Sequence, residues 1–184
     1  MNRALDDFGA TLAGAHAGHG WAFEALFTWL GPPIAAYIRA RRVEDPDDLA
    51  NEVFLRAFRN IRTFRGDEDR YRSWMFTIAR NAVLDDQRRA RRRPSTTELD
   101  EADLPANDDV IEDVLDRLDR NRIEALIDEL APDQRDVFLL RVLGDLSIAQ
   151  TAAVLDKSYE AVKALQRRGA TALARRVSGE GVPK

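Results

Sequence analysis

The chain has 184 residues, 45% of them hydrophobic and 33% charged, and no cysteine. That length allows one large or two small domains with a strongly charged surface, and the missing cysteine excludes disulfides and thiolate metal sites, which fits a reducing, cytoplasmic setting. The formal charge of −4 hides its own distribution: residues 1–93 carry 16 basic and 13 acidic side chains, residues 94–130 carry 3 and 13, and residues 131–184 carry 9 and 6. Two mildly basic blocks flank one intensely acidic segment, and the average describes neither.

Residues 1–20 are Gly/Ala-rich, lack a basic segment followed by an apolar run, and read as a disordered tail without a signal peptide. WAFEALFTWLGPPIAAYI (21–38) is the most apolar stretch. Glu24 and Gly31-Pro32-Pro33 interrupt it, so two pieces of core helix are expected, and no membrane insertion. Phe23, Leu26, Phe27 and Leu30 share one face of the first piece, and Ile34, Tyr37 and Ile38 follow the break. Asp45-Pro46-Asp47-Asp48 is a helix start: Asp45 can cap free N–H groups, Pro46 suits the first turn, and the acids complement the dipole. That helix should bury Leu49, Val53, Ala57 and Ile61. TFRGDEDR (63–70) reads as a loop, and a long helix is expected from about Ser73, with Trp74, Ile78 and Ala82 toward the core.

PSTTELDEADLPANDDV opens the acidic segment without a basic residue or any apolar period, the composition of a flexible linker over 94–110. Helical spacing resumes with Ile111, Val114, Leu115 and Leu118, then Ile123, Leu126, Ile127 and Leu130. Three shorter helices are expected after it. The first covers about 133–143 and ends at Gly144, which suits a left-handed turn. Ser147 and Gln150 form a capping box at the start of the second. Ser158 can cap the third, which buries Val162, Leu165 and Leu173. Two short helices joined at Asp156-Lys157 make a helix-turn-helix pattern. The fold class is therefore all-α: two small helical domains, 21–93 and 111–177, joined by an acidic linker, with a disordered tail at 178–184.

In the third helix, Tyr159, Lys163, Arg167 and Arg168 face away from the core near the start, with Arg175 and Arg176 near the end. Early residues of such a helix reach base edges in the major groove, and later cations reach phosphate. In the first block, Arg72, Arg80 and the run Arg88–Arg93 lie beside aromatic residues, a combination suited to single-stranded or opened nucleic acid. The bland alternatives are a solvated basic face and aromatics that are simply core. A dimeric helix-turn-helix regulator would use the second block but leave 45–93 unassigned. An enzyme would have only His16, His19 and scattered carboxylates to work with. No nucleophile motif, phosphate loop, metal cluster or cofactor signature is present, so no catalytic, metal or cofactor site is expected.

EDPDDLANEVFLRAFRNIRTFRGDEDRYRSWMFTIARNAVLDDQRRARRR closely resembles the second conserved region of extracytoplasmic-function (ECF) sigma factors, small bacterial transcription initiation factors. LAPDQRDVFLLRVLGDLSIAQTAAVLDKSYEAVKALQRRGATAL resembles their fourth region, in the family's order and after a similar linker. The resemblance implies that Asp48, Asn51, Glu52, Phe54 and Phe58 meet core RNA polymerase at the coiled-coil clamp of its beta-prime subunit, with the beta flap engaging the second block. It implies that Phe64, Arg65, Tyr71, Arg80, Asn81, Asp85 and Arg88 take the opened −10 strand of promoter DNA. Ser158, Tyr159, Lys163, Arg167 and Arg168 would read the −35 duplex, and an anti-sigma factor would control the chain. Asn51 stands where the family often has glutamine, Ala161–Leu165 departs from a common Thr-Val-Lys/Arg-Ser-Arg run, and Gly169 sits in mid-helix.

Overall fold

The computed structural model describes residues 5, 7–91, 127 and 129–177. These form α1 (Phe8–Ala17), α2 (Gly20–Ala40), α3 (Pro46–Asn60), a single 3-10 turn (Ile61–Thr63), α4 (Glu68–Arg91), α5 (Pro132–Val142), α6 (Ile148–Leu155) and α7 (Tyr159–Val177). Among the described residues the structure is helical, as the apolar spacing requires. The linker at 94–110, the apolar pattern from Ile111 to Leu126 and the tail at 178–184 lie outside the described residues.

Part of the expected tail is a helix. Ten residues are too few to hold α1 in isolation, so its ends and its apolar face must hold it. The Asp7 carboxylate accepts from the Ala10 amide at 2.8 Å, and Gly18 closes the other end at φ 84°. Phe8 enters an aromatic cluster, its ring 6.1 Å from Trp29 and 5.6 Å from Tyr71. Gly14 lies under the Trp21 indole, where an added Cβ would stand 2.6 Å from a ring carbon. A side chain there would displace the half-exposed indole and press on Ala22, whose Cβ would lie 3.1 Å away.

α2 runs unbroken through Pro32 and Pro33 rather than as two pieces. An interior proline costs about 3 kcal/mol or more in a helix held by its own bonds alone. Burial of Trp29, Leu30, Ile34, Tyr37 and Ile38 on one face keeps the axis continuous. The expected packing face of the first half is corrected at Phe27, which is 47% exposed, while Leu26 and Leu30 are buried.

α3 follows its start signal. Asp45 caps through the Asp48 amide, Pro46 occupies the first turn, and Leu49, Val53, Ala57 and Ile61 are all buried. α4 begins at Glu68, five residues before the expected start, because the Asp67 carboxylate caps it through the Arg70 amide at 2.9 Å. Its core stripe is turned relative to the expectation. Tyr71, Met75, Phe76, Ala79, Ala82 and Val83 are buried, while Trp74 and Ile78 are half-buried at the margin.

In the second unit α5 packs against α7, with α6 across both. Both halves of the Ser147–Gln150 capping box are present. Asp156 takes the left-handed turn between α6 and α7 at φ 54°. The left-handed residue after α5 is Asp145 (φ 52°), not Gly144. Gly144 is required for a different reason: an added Cβ would stand 2.5 Å from the Leu140 carbonyl oxygen and 3.2 Å from the Phe76 ring of α4. The two units thus meet, α4 against α6 and α2 against α5, around one continuous hydrophobic core.

Candidate nucleic-acid interface

α7 positions its side chains as the helix-turn-helix pattern predicts. The Ser158 hydroxyl accepts from the Ala161 amide at 3.2 Å and fixes the start of the helix. Val162, Leu165, Ala170 and Leu173 are buried, so the helix is pinned along one stripe. Ser158, Tyr159, Lys163 and Arg167 are exposed on the other side, Tyr159 by 49%. Arg168 is half-buried at the edge of the exposed face, and Arg175 is exposed further along the helix. A guanidinium such as that of Arg167 can take both guanine acceptors in the major groove. Ser158, as a cap, contributes mainly by holding the first turn in place.

Gly169 faces the core. An added Cβ would lie 2.5 Å from Phe138 Cε2 and 3.1 Å from Cδ2. The glycine lets α7 lie directly on the Phe138 ring of α5, which fixes the pitch at which the exposed face is presented.

The candidate residues of the first unit divide into two sets. Asn81 and Arg88 are exposed on α4, and Asp85, half-buried, pairs with Arg88 at 3.3 Å. Arg65 is exposed, and its guanidinium donates to the Arg62 and Phe64 carbonyl oxygens at 2.7 Å each. Phe64 and Tyr71, expected at the surface of a strand-capturing loop, are instead core residues at 8% and 0% exposure. Their rings meet edge to face at 5.2 Å and both touch Trp74. Burial pushes the Tyr71 hydroxyl far above its usual ionisation range, and its oxygen has no hydrogen-bond partner among the described residues. The pair supports the loop from beneath.

Arg80 is half-buried rather than spread on a nucleic-acid face. It stands near enough to Asp136 and Tyr37 to act on both electrostatically. Asp136 also forms an ion pair with Arg41, both side chains being 10% exposed. Burial raises the Asp136 carboxyl above its ordinary range, against the downward pull of Arg41 and Arg80.

The residues expected to meet polymerase lie on α3. Asp48 and Asn51 are exposed, Glu52 is half-buried and pairs with Arg56, and Phe58 is half-buried. Phe54 departs from the expectation: it is 3% exposed, its ring 4.7 Å from Phe27 and 5.6 Å from Phe58. The apolar side chains that do reach the surface nearby are Leu55 at 55% and Phe27 at 47%, neither of which was expected there. Leu55 was legible in principle, being an apolar residue out of step with the Leu49, Val53, Ala57 stripe.

Among the described residues there is no cluster of three or more potential metal ligands, and no helix is long and apolar enough to cross a membrane. Two family models match the chain: sigma-70 region 2 over residues 30–93 and sigma-70 region 4 over residues 120–173. The sequence is 35% identical over 164 residues to the ECF RNA polymerase sigma factor BldN of Streptomyces coelicolor, covering 88% of this chain and 62% of that one. It is 33% identical to the ECF sigma factor SigC of Mycobacterium tuberculosis, covering 82% of each. The fold is also that of the RpoE sigma factor solved in complex with the anti-sigma factor NepR from Bartonella quintana, with TM-score 0.64 at 18% identity, covering 87% of this chain and 98% of that one. With both regions matched in order and a curated relative aligned over most of its length, the chain belongs to the ECF RNA polymerase sigma factors, the alternative sigma factors that direct transcription initiation.

Proposed function

We propose that this sigma factor docks on the beta-prime clamp of core RNA polymerase through the exposed face of α2 and α3, and reads promoter DNA with α4 and α7. Phe27 and Leu55 supply apolar contact, and Asp48, Asn51 and Glu52 form the polar rim around it. The buried ring of Phe54 and the half-buried ring of Phe23 hold this ridge in shape, Phe23 meeting Phe58 edge to face at 4.9 Å. On α4, Asn81, Asp85 and Arg88, with Arg65 from the preceding loop, meet the opened −10 strand. On α7, Tyr159, Lys163, Arg167 and Arg168 enter the −35 major groove, and the second unit is held by the beta flap. Phosphate attraction by itself gives sequence-independent binding, so selectivity comes from presenting both surfaces at promoter spacing on the enzyme. The protein acts without catalysis of its own, in the cytoplasm, and an anti-sigma factor is its controlling partner.

The observation that carries this reading is the surface of α7: a basic and aromatic face at its first turns, backed by a fully buried apolar stripe. Run-off transcription with core polymerase on a pool of genomic promoter fragments tests it. RNA 5′ ends should share one upstream pair of sequence elements, and Arg167→Ala should erase the preference at one position of the distal element. Active core polymerase giving no defined starts with the intact chain would refute it. Tight binding to a palindromic duplex without polymerase would favour a stand-alone regulator.

A further inference from the structure

We infer that α1 is a brace for the loop leading into α4: Phe8, a positioning residue, holds Phe64 and Arg65 in place through Tyr71. The brace stands on its own geometry; its use for the −10 strand rests on the proposed function. α1 lies ahead of the stretch matched to sigma-70 region 2, which begins at residue 30. It contains neither Lys nor Arg, and His16 is its one ionisable side chain. It therefore lacks the fixed cations with which α4 and α7 attract phosphate. What it contributes depends on what it touches.

α1 reaches both ends of the loop. It lies against the 3-10 turn at 61–63, and at its C-terminal cap a Cβ on Gly18 would be 4.0 Å from Arg62 Nη2. At its other end the Phe8 ring stands 5.6 Å from Tyr71, the first core residue after the loop. Tyr71 passes the contact on. Its ring meets Phe64 edge to face at 5.2 Å and Trp74 at 5.6 Å, and Phe64 meets Trp74 at 5.1 Å. Above these rings the loop is closed by its own residues. Arg65 Nη1 donates to the Arg62 and Phe64 carbonyl oxygens, and a Cβ on Gly66 would stand 2.9 Å from Arg70 Cβ. Such contacts between near neighbours fix the curve of the loop. The rings beneath tie that curve to the rest of the unit.

A loop that takes an unstacked base gains from being in shape before the strand arrives, because ordering it on contact subtracts from binding. Groups that touch a ligand are held to within about 0.5 Å by the packing behind them. α1 supplies such packing without carrying the fold. α2, α3 and α4 pack directly on one another, so loss of the Phe8 ring loosens the brace and leaves the unit standing. Ten residues do not persist as a helix alone, and without its seat on Trp29 and Tyr71 α1 keeps little but its caps.

Hydrogen exchange on the free full-length chain tests the brace at three amides. Phe64 donates to the Ile61 carbonyl, Tyr71 to the Asp67 carbonyl, and Arg70 to the Asp67 carboxylate. In Phe8→Ala they should exchange about tenfold faster, while amides of α6 and α7 keep their rates. Phe8→Leu, which keeps an apolar side chain, should restore most of the protection. Unchanged rates at all three amides in Phe8→Ala would overturn the brace. Should that variant lose its helix content, Asp7→Ala, which removes the α1 cap and leaves every ring in place, decides by the same measurement. A second arm uses core polymerase and the promoter mapped by run-off transcription. The rate on that promoter is divided by the rate on templates substituted at single positions, a ratio that a merely less stable chain leaves unchanged. Phe8→Ala should lower the ratio about fivefold at a −10 position and leave the −35 ratios alone. If the three amides exchange faster but no −10 ratio moves, the brace stands and the reading of this loop as a strand-binding site falls.

Discussion

Helix propensity alone says that Gly169→Ala should stabilise the protein by about 1 kcal/mol, because glycine in a helix interior is that much worse than alanine. The structure says the opposite. The new Cβ would stand 2.5 Å from one carbon of the Phe138 ring and 3.1 Å from the next, whereas carbon atoms rest at about 3.5–4.0 Å. The ring must retreat by roughly 1 Å from a position with 2% exposure. Overpacking of this kind costs about 1–3 kcal/mol. Set against the propensity gain, the net is a loss of about 1 kcal/mol. With a urea m-value near 2 kcal/mol/M, the midpoint should fall by about 0.5 M with m unchanged. Equilibrium unfolding followed by circular dichroism reads this directly. In a Phe138→Leu background the clash is relieved, so adding Gly169→Ala there should be neutral or stabilising. A raised midpoint for Gly169→Ala in the otherwise unaltered chain would refute the packing argument.

Three further outcomes are expected. Tyr71→Phe removes a buried hydroxyl that has no partner among the described residues, so stability should hold or rise slightly and start-site choice should not change; Tyr71→Ala should cost about 3–5 kcal/mol in urea unfolding, as for a core ring. Ser147→Ala breaks the capping box, in which the Gln150 amide donates to Ser147 Oγ at 3.2 Å and the Ser147 amide to Gln150 Oε1 at 2.6 Å. It should cost about 1 kcal/mol and weaken −35 duplex binding measured by fluorescence anisotropy. Leu55→Asp touches an exposed position, so stability should move by less than about 0.5 kcal/mol, while affinity for core polymerase in a binding titration should fall at least tenfold, about 1.4 kcal/mol.

What was legible in the sequence was what local rules decide. The start of α3 at Asp45-Pro46, the Ser147–Gln150 box and the Val162–Leu165 stripe each depend on residues within a turn or two, and each stands as read. Failures came where distant contacts override local preference. Pro32-Pro33 normally ends a helix, but burial on both sides carries α2 through. The Gly/Ala-rich start showed no period, and it takes the seat of Phe8 against Trp29 and Tyr71, together with the Asp7 and Gly18 caps, to make α1 a helix. Aromatic residues beside arginines suggested a nucleic-acid platform, but Phe64 and Tyr71 are floor rather than surface. Arg80 reads as one cation among many until Asp136 arrives from another unit.

The continuous passage of α2 through two prolines has one more consequence. Neither Pro32 nor Pro33 has an N–H, so the carbonyls of Thr28 and Trp29 receive no main-chain bond from the residues four positions on. The ladder is interrupted at mid-length although the axis is not. The segment before the gap is fastened to α3 by the Phe23–Phe58 and Phe27–Phe54 rings; the segment after it is fastened to α4 by Tyr37 against Phe76 and to α5 by Arg41 with Asp136. Each can therefore loosen without unwinding the other. Hydrogen exchange should therefore resolve α2 into two protection units sharing one rod, with the boundary between them at Pro32.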